Sequence, residues 1–247
     1  MATPPKLVSG KQKAPPRIMI YGEEGIGKSS FAAGAPNMIF IHTEDGLGQI
    51  DCIHYERVAR TYDEVMERLE WVRDGEHEFQ TVAVDSLDWL ERLIWARVCA
   101  DYGVRSIEKA DGGYGRGYNH AAAYWKDFLD RLTEIRDKRN MAVILTAHAK
   151  VEHFEDPEHP AYDRYSPRLH KAACSMVREW VDAVLFATHR MRYDSETGRA
   201  TPIGADGGER IIRANGAPAC IAKNRFGITG EIPLSWSAFM AAIPANT

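Results

Sequence analysis

Residues 22–29 read Gly22-Glu23-Glu24-Gly25-Ile26-Gly27-Lys28-Ser29, which fits the spacing G-x-x-x-x-G-K-[ST] at every fixed position. Few eight-residue stretches restrict a fold so strongly. Gly22, Gly25 and Gly27 let the backbone bend until several N–H groups converge on one anion. That geometry needs a buried strand to deliver the chain and a helix whose positive end faces the anion. Both are present: the apolar run Arg17–Tyr21 precedes the loop, and Ser29-Ser30-Phe31-Ala32 opens a helix after it. Gly22 to Ser30, with Glu23, Glu24 and Ile26, is therefore the expected phosphate cradle for ATP. Lys28 neutralises the outer phosphates and the Ser29 hydroxyl reaches Mg2+.

Further apolar runs follow at Met38–Thr43, Thr81–Asp85, Met141–Ala147 and Asp182–Thr188. They are rich in Ile, Val and Phe and do not alternate with polar residues, as strands buried on both faces would not. Tyr62–Arg73, Leu87–Tyr102, Asn119–Arg139 and Lys171–Val181 lie between them and carry apolar residues at helical spacing, for example Leu90, Leu93, Ile94 and Val98. Strands alternating with helices predict an α/β fold: a mostly parallel central sheet with helices on both faces. After His189 the turn Asp194-Ser195-Glu196-Thr197-Gly198 and several glycines predict C-terminal β-hairpins extending the sheet edge, with one more strand at Ala219–Lys223.

The chain is long enough, at 247 residues, to bury a core without staples. Its four cysteines are far apart, which suits neither zinc nor a disulfide framework and points to a reducing, cytoplasmic compartment. No apolar run is long enough to span a membrane. The net charge of −4 excludes a general polyanion binder, so nucleic-acid contact would need local basic patches. Residues 1–16 hold four prolines, three lysines and no acid, and read as a flexible tail or as an arm touching DNA or a neighbouring subunit. Residues 17–247 read as one ATPase domain.

Thr81–Asp85 is an apolar strand ending in an acid, and Asp85 is the expected second holder of Mg2+. Many ATPases place a water-activating Glu directly after this Asp; here Ser86 follows. The next candidate base is Glu44, at the end of Met38–Thr43, which either orients the attacking water or caps the following turn. His148 ends Met141–Ala147, where a polar side chain faces the ligand crevice, as a phosphate sensor or as a structural histidine.

Glu24 in the loop, Thr43-Glu44, Val84-Asp85-Ser86 and a polar residue after the next strand together resemble the RecA/RadA recombinase core. Ala222-Lys223-Asn224-Arg225-Phe226-Gly227 resembles the Lys-Asn-Arg-Phe-Gly motif of RadA-type proteins and the equivalent segment of DnaB-type helicases. The resemblance implies a RecA-like P-loop NTPase core over residues 17–230. It also implies that Lys223 and Arg225 act across a subunit interface on the neighbour's γ-phosphate; without it they read as a basic surface turn. The length is most similar to small phage-encoded RecA-like ATPases, a group that includes single-strand annealing recombination proteins of the host cytoplasm. An ATP-hydrolysing homo-oligomer, ring or filament, on single-stranded DNA is then expected, with a single-strand binding protein as a further candidate partner and no membrane. A DnaB-like motor and a nucleotide-dependent switch without DNA are the alternatives.

By position, two loops would hold DNA. Gly103–Asn119 offers Tyr114, Arg116 and Tyr118 for stacking and phosphate contact. Ala149–Lys171 offers Arg164, Arg168 and Lys171, although the acids Glu152, Glu155, Asp156, Glu158 and Asp163 oppose them.

Overall fold

The computed structural model describes residues 9–10, 14–158, 160–204 and 208–244, so most of the proposed tail lies outside the described residues. The chain runs through β1 (Arg17–Gly22), α1 (Lys28–Ala33), β2 (Met38–His42), β3 (Ile53–His54), α2 (Tyr62–Asp74), β4 (Thr81–Asp85) and α3 (Leu87–Asp101). A 3-10 turn at Ile107–Gly112 leads into α4 (Arg116–Arg139), β5 (Ala142–Phe154), β6 (Tyr162–Pro167), α5 (Lys171–Trp180) and β7 (Ala183–His189). The remainder is β8 (Met191–Asp194), β9 (Arg199–Pro202), β10 (Arg210–Arg213), β11 (Lys223–Asn224), β12 (Glu231–Pro233) and α6 (Trp236–Ala242).

The main sheet has the order β12-β10-β7-β1-β5-β4-β2-β3. The pairs from β7 through β3 are parallel. β10 and β12 extend the edge antiparallel. The α/β class, the mostly parallel sheet and the C-terminal additions are as the sequence implies. Strand residues alternate between two cores. Met19 and Tyr21 pack with residues of α2 to α5 on one face. Ile18 and Ile20 pack with Phe31 of α1 and Phe239 of α6 on the other. Helices on both faces explain why these strands read as continuous apolar runs.

From β1 the chain crosses to β2, returns through β4 to β5 beside β1, and then passes to β7 on the other flank. β1 is therefore the point where strand order reverses, and its carboxyl end opens a crevice. Register aligns the chemistry there. Gly22 is level with His148 of β5 and Ala187 of β7, and His42 is level with Asp85.

Four expectations change. The stretch Ala149–Lys171 is not a loop: β5 runs on past the sheet and folds back antiparallel as β6. Its opposed charges sit across from one another, Glu152 facing Arg164 and His153 facing Asp163, which is how a hairpin accommodates mixed charge. Gly103–Asn119 is not one open loop: a 3-10 turn at Ile107–Gly112 and the start of α4 at Arg116 leave residues 113–115 as a tight turn between them. β8 and β9 form a separate two-stranded ribbon and do not extend the sheet. Ala219–Lys223 contributes only the short β11, paired to β7.

Candidate functional site

The loop after β1 turns at Gly25 (φ 75°) and Gly27 (φ 110°), left-handed conformations that a side chain would strain. At Gly22 a Cβ would lie 2.4 Å from the Ala187 carbonyl, so only glycine lets β1 end so close to β7. α1 begins at Lys28. The Lys28 ammonium is buried and donates to the carbonyls of Gly22 (3.2 Å) and Glu23 (2.8 Å). Desolvation lowers its pKa, against the opposing pull of Asp85, Glu44, Asp88 and Glu24. A buried cation with only neutral acceptors in direct contact fits a ligand that brings negative charge.

The Ser29 hydroxyl donates to Asp85 at 2.6 Å, and Thr146 donates to the other Asp85 oxygen. Ser29 and Asp85 thus form a paired hydroxyl and carboxylate, oxygen donors of the kind that would hold Mg2+. The Thr43 hydroxyl accepts from Ser86 N (3.0 Å) and donates to Ser86 O (2.8 Å), while Thr43 N donates to Asp85 O (2.7 Å). This clasp ties the end of β2 to the start of α3 and fixes the neighbouring Glu44 at the pocket wall. Burial raises the Glu44 carboxyl above its usual range, and the nearby His148 ring pulls it part of the way back.

His148 donates from its backbone N–H to Asp88 (3.1 Å), and its Nδ1 lies 3.0 Å from the same carboxylate. The ring is thereby held with Nε2 toward Glu44, at 4.0 Å, too long for a hydrogen bond. Burial pushes Asp88 up, but the hydrogen bonds from His148 and Arg168 outweigh it and hold the carboxyl well below the usual range. Arg168 reaches Asp88 at 2.8 Å and Glu24 at 3.5 Å.

The result is one cleft of about 580 Å³. It brings together Glu24, Gly25, Gly27, Lys28, Ser29, Ser30, Glu44, Asp85 and His148, all expected from the sequence. It adds Trp89, Arg92 and Arg168, of which the sequence pattern assigns the first two no role and the third to DNA. Asp88, in the first turn of α3, has no pattern in the sequence that marks it. Arg168 is hidden because its strand has the pattern of a loop. Gly22 and Ile26 are buried beneath the loop, and Glu23 is exposed outside the cleft lining.

Lys223 and Arg225 lie elsewhere. β11 pairs with β7 at Val184 and Ala183, and Arg225 N donates to Asp182 O, at the amino end of the sheet. At about 3.3 Å per residue this is roughly 10–16 Å below Ala187, which borders the phosphate loop. Lys223 donates to Arg178 O, and Arg225 contacts Asp182 and Glu179 O.

The DNA candidates also scatter. Tyr114 is 99% exposed at the tip of the glycine turn. Arg116 donates to Asp111 O. Tyr118 is stacked flat on His170 at 4.4 Å and meets Trp95 edge-on. Arg164 is paired with Glu152 and lies 3.8 Å over the Phe154 ring. Lys171 is exposed at the start of α5.

A family model described as an AAA domain matches residues 14–226. Over 155 residues the chain is 23% identical to the SPbeta prophage-derived uncharacterized protein YorG of Bacillus subtilis (strain 168), covering 62% of this chain and 45% of that one. The chain therefore spans about half the length of that curated relative. Among solved structures, a crystal structure of the RadB recombinase aligns over 91% of this chain and 90% of that one, with TM-score 0.47 and 13% identity, too distant to bear on function. Among the described residues, no helix is long and apolar enough to cross a membrane.

Proposed function

The chain belongs to the AAA domain family, and on that premise we propose that it is a RecA-like, Mg2+-dependent ATPase of phage type that works as an oligomer on single-stranded DNA, in annealing or recombination in the host cytoplasm. The observation that carries the ATPase part is the convergence of Lys28, Ser29, Asp85, Glu44 and His148 on one cleft at the strand-order reversal. Lys28 binds the outer phosphates. Ser29 and Asp85 are the pair that would hold Mg2+, whose contribution is to neutralise charge on the phosphate oxygens. Glu44, with its raised carboxyl, accepts a proton from the attacking water. His148, its Nδ1 side fixed on Asp88, turns Nε2 toward the reacting end.

The oligomer rests on Lys223 and Arg225. They sit at the opposite end of β7 from their own cleft, so any action on a phosphate falls on a neighbour's. The DNA role rests on Tyr114, presented on a glycine turn with its ring in solvent. A switch without DNA is favoured by the β5–β6 tip, which carries Glu155, Asp156 and Glu158. The test is a gel-shift series on single-stranded DNA with ATP, ADP and no nucleotide, alongside the ATPase rate with and without DNA. The proposal expects ATP-dependent binding and stimulated turnover. Negligible affinity in all three states, with unstimulated turnover, would leave the switch.

A further inference from the structure

Arg168 enters the cleft from the end of β6, in the same chain as the phosphate loop. Its backbone is pinned, because Arg168 N donates to His148 O at 2.8 Å. The side chain therefore projects over β5 at His148, level with Gly22 of the strand that carries the loop. Its Nε and Nη2 hold Asp88 at 3.3 and 2.8 Å, and its Nη1 reaches Glu24 of the loop at 3.5 Å. The Asp88 side chain is 3% exposed. That of Arg168 is 38% exposed and lines the cleft. Glu24 is 75% exposed, so the pair across the mouth is weak and readily exchanged for a stronger anion.

The charge balance of the cleft supports the same assignment. Glu24, Glu44, Asp45 and Asp85 line it, against Lys28, Arg92 and Arg168. A triphosphate brings further negative charge, and its terminal phosphate carries the largest share. Against four carboxylates in the lining, Lys28 and the Mg2+ that Ser29 and Asp85 would hold leave room for a further cation at that end. The planar guanidinium presents paired N–H groups that match phosphate oxygens.

We propose that Arg168 is a phosphate-binding residue acting in cis: it exchanges Glu24 for the terminal phosphate of a bound nucleoside triphosphate while keeping Asp88. This rests on the nucleotide-site reading above and adds to it. It gives the site a triphosphate-specific cation from its own chain, independent of any neighbour's Lys223 or Arg225. The strand end that carries Arg168 also carries His170, whose N–H donates to Glu91 and whose ring stacks on Tyr118.

The experiment is calorimetric titration of the full chain with Mg2+ and a non-hydrolysable ATP analogue, and separately with Mg2+ and ADP. Arg168→Ala is expected to weaken the triphosphate analogue by about 10- to 100-fold, the range for a hydrogen bond to a charged group, with ADP affinity within about twofold. Equal weakening of both ligands, or of neither, would overturn the assignment. Thermal melts report folding. Should Arg168→Ala not fold, Arg168→Gln retains a donor to Asp88 and is titrated in its place: selective loss of the analogue supports the assignment, and equal or no weakening overturns it. Lys28→Ala is titrated in parallel. If it still binds both nucleotides, the underlying site reading fails. If it loses both while Arg168→Ala shows no selective loss, only the Arg168 assignment fails.

Discussion

Glu44 joins two properties that a general base needs: a carboxyl raised by burial and a position fixed by a neighbouring clasp. Its replacement by Gln keeps the shape and removes the proton acceptor. Glu44→Gln is expected to lower ATP turnover by about 10²- to 10⁴-fold, the usual weight of general base catalysis, while leaving nucleotide affinity near wild type; steady-state rates and titrations measure both. A second carboxyl behaves differently. Burial pushes Glu91 up to about 7, against the opposing hydrogen bond from His170 N–H. The folded protein thus keeps this proton after the unfolded chain has released it. Stability from this group is full below the unfolded pKa of about 4.5 and is lost as pH rises to about 7. The loss amounts to roughly 3 kcal/mol at most. Denaturant midpoints at pH 5 and pH 8 should diverge for wild type and converge for Glu91→Gln, whose amide oxygen still accepts from His170.

The elements are legible in the sequence to different degrees, for physical reasons. Thr81–Asp85 and the loop at Gly22–Ser29 stand out because buried parallel strands and phosphate cradles leave strong local patterns. The β5–β6 hairpin does not. Its outer half mixes charged and aromatic residues without a clear period, and only the pairing of Glu152 with Arg164 and of Phe154 with Tyr162 makes that pattern a strand. The cleft is legible where it uses strand ends in register, and hidden where it draws on Asp88 and Arg168 from helix and hairpin. Tyr21 shows how such a hairpin is tied down. Its hydroxyl, on β1, reaches the Tyr165 carbonyl of β6 at 3.1 Å and the Ile221 carbonyl at 2.7 Å. Tyr21→Phe is expected to cost about 1–3 kcal/mol, because the buried Ile221 carbonyl loses its donor; urea unfolding monitored by far-UV circular dichroism reads this.

At the scale of the whole molecule, the two ends of the sheet carry different charged clusters. The carboxyl end holds the cleft, and the amino end holds Lys223 and Arg225 beside Asp182. On the proposed finger role, residues at the far end of β7 act only on a neighbouring chain. Arg225→Ala is therefore expected to reduce turnover by about 10-fold or more while sparing nucleotide affinity. Turnover per chain in the wild type should rise with protein concentration as assembly proceeds. A variant that lost nucleotide binding instead would argue for a structural role at the Asp182 cluster.

The roles proposed for Glu44, Arg168, Lys223 and Arg225 all depend on the phosphate loop binding and turning over nucleotide. The most direct test is phosphate release from ATP with Mg2+, measured for the wild type and for Lys28→Ala at equal protein concentration. The prediction is Mg2+-dependent release by the wild type and none above background in the variant, because no backbone amide replaces the lost ammonium charge. Release at the wild-type rate by Lys28→Ala would contradict the assignment of Gly22–Ser29 as the site of ATP hydrolysis.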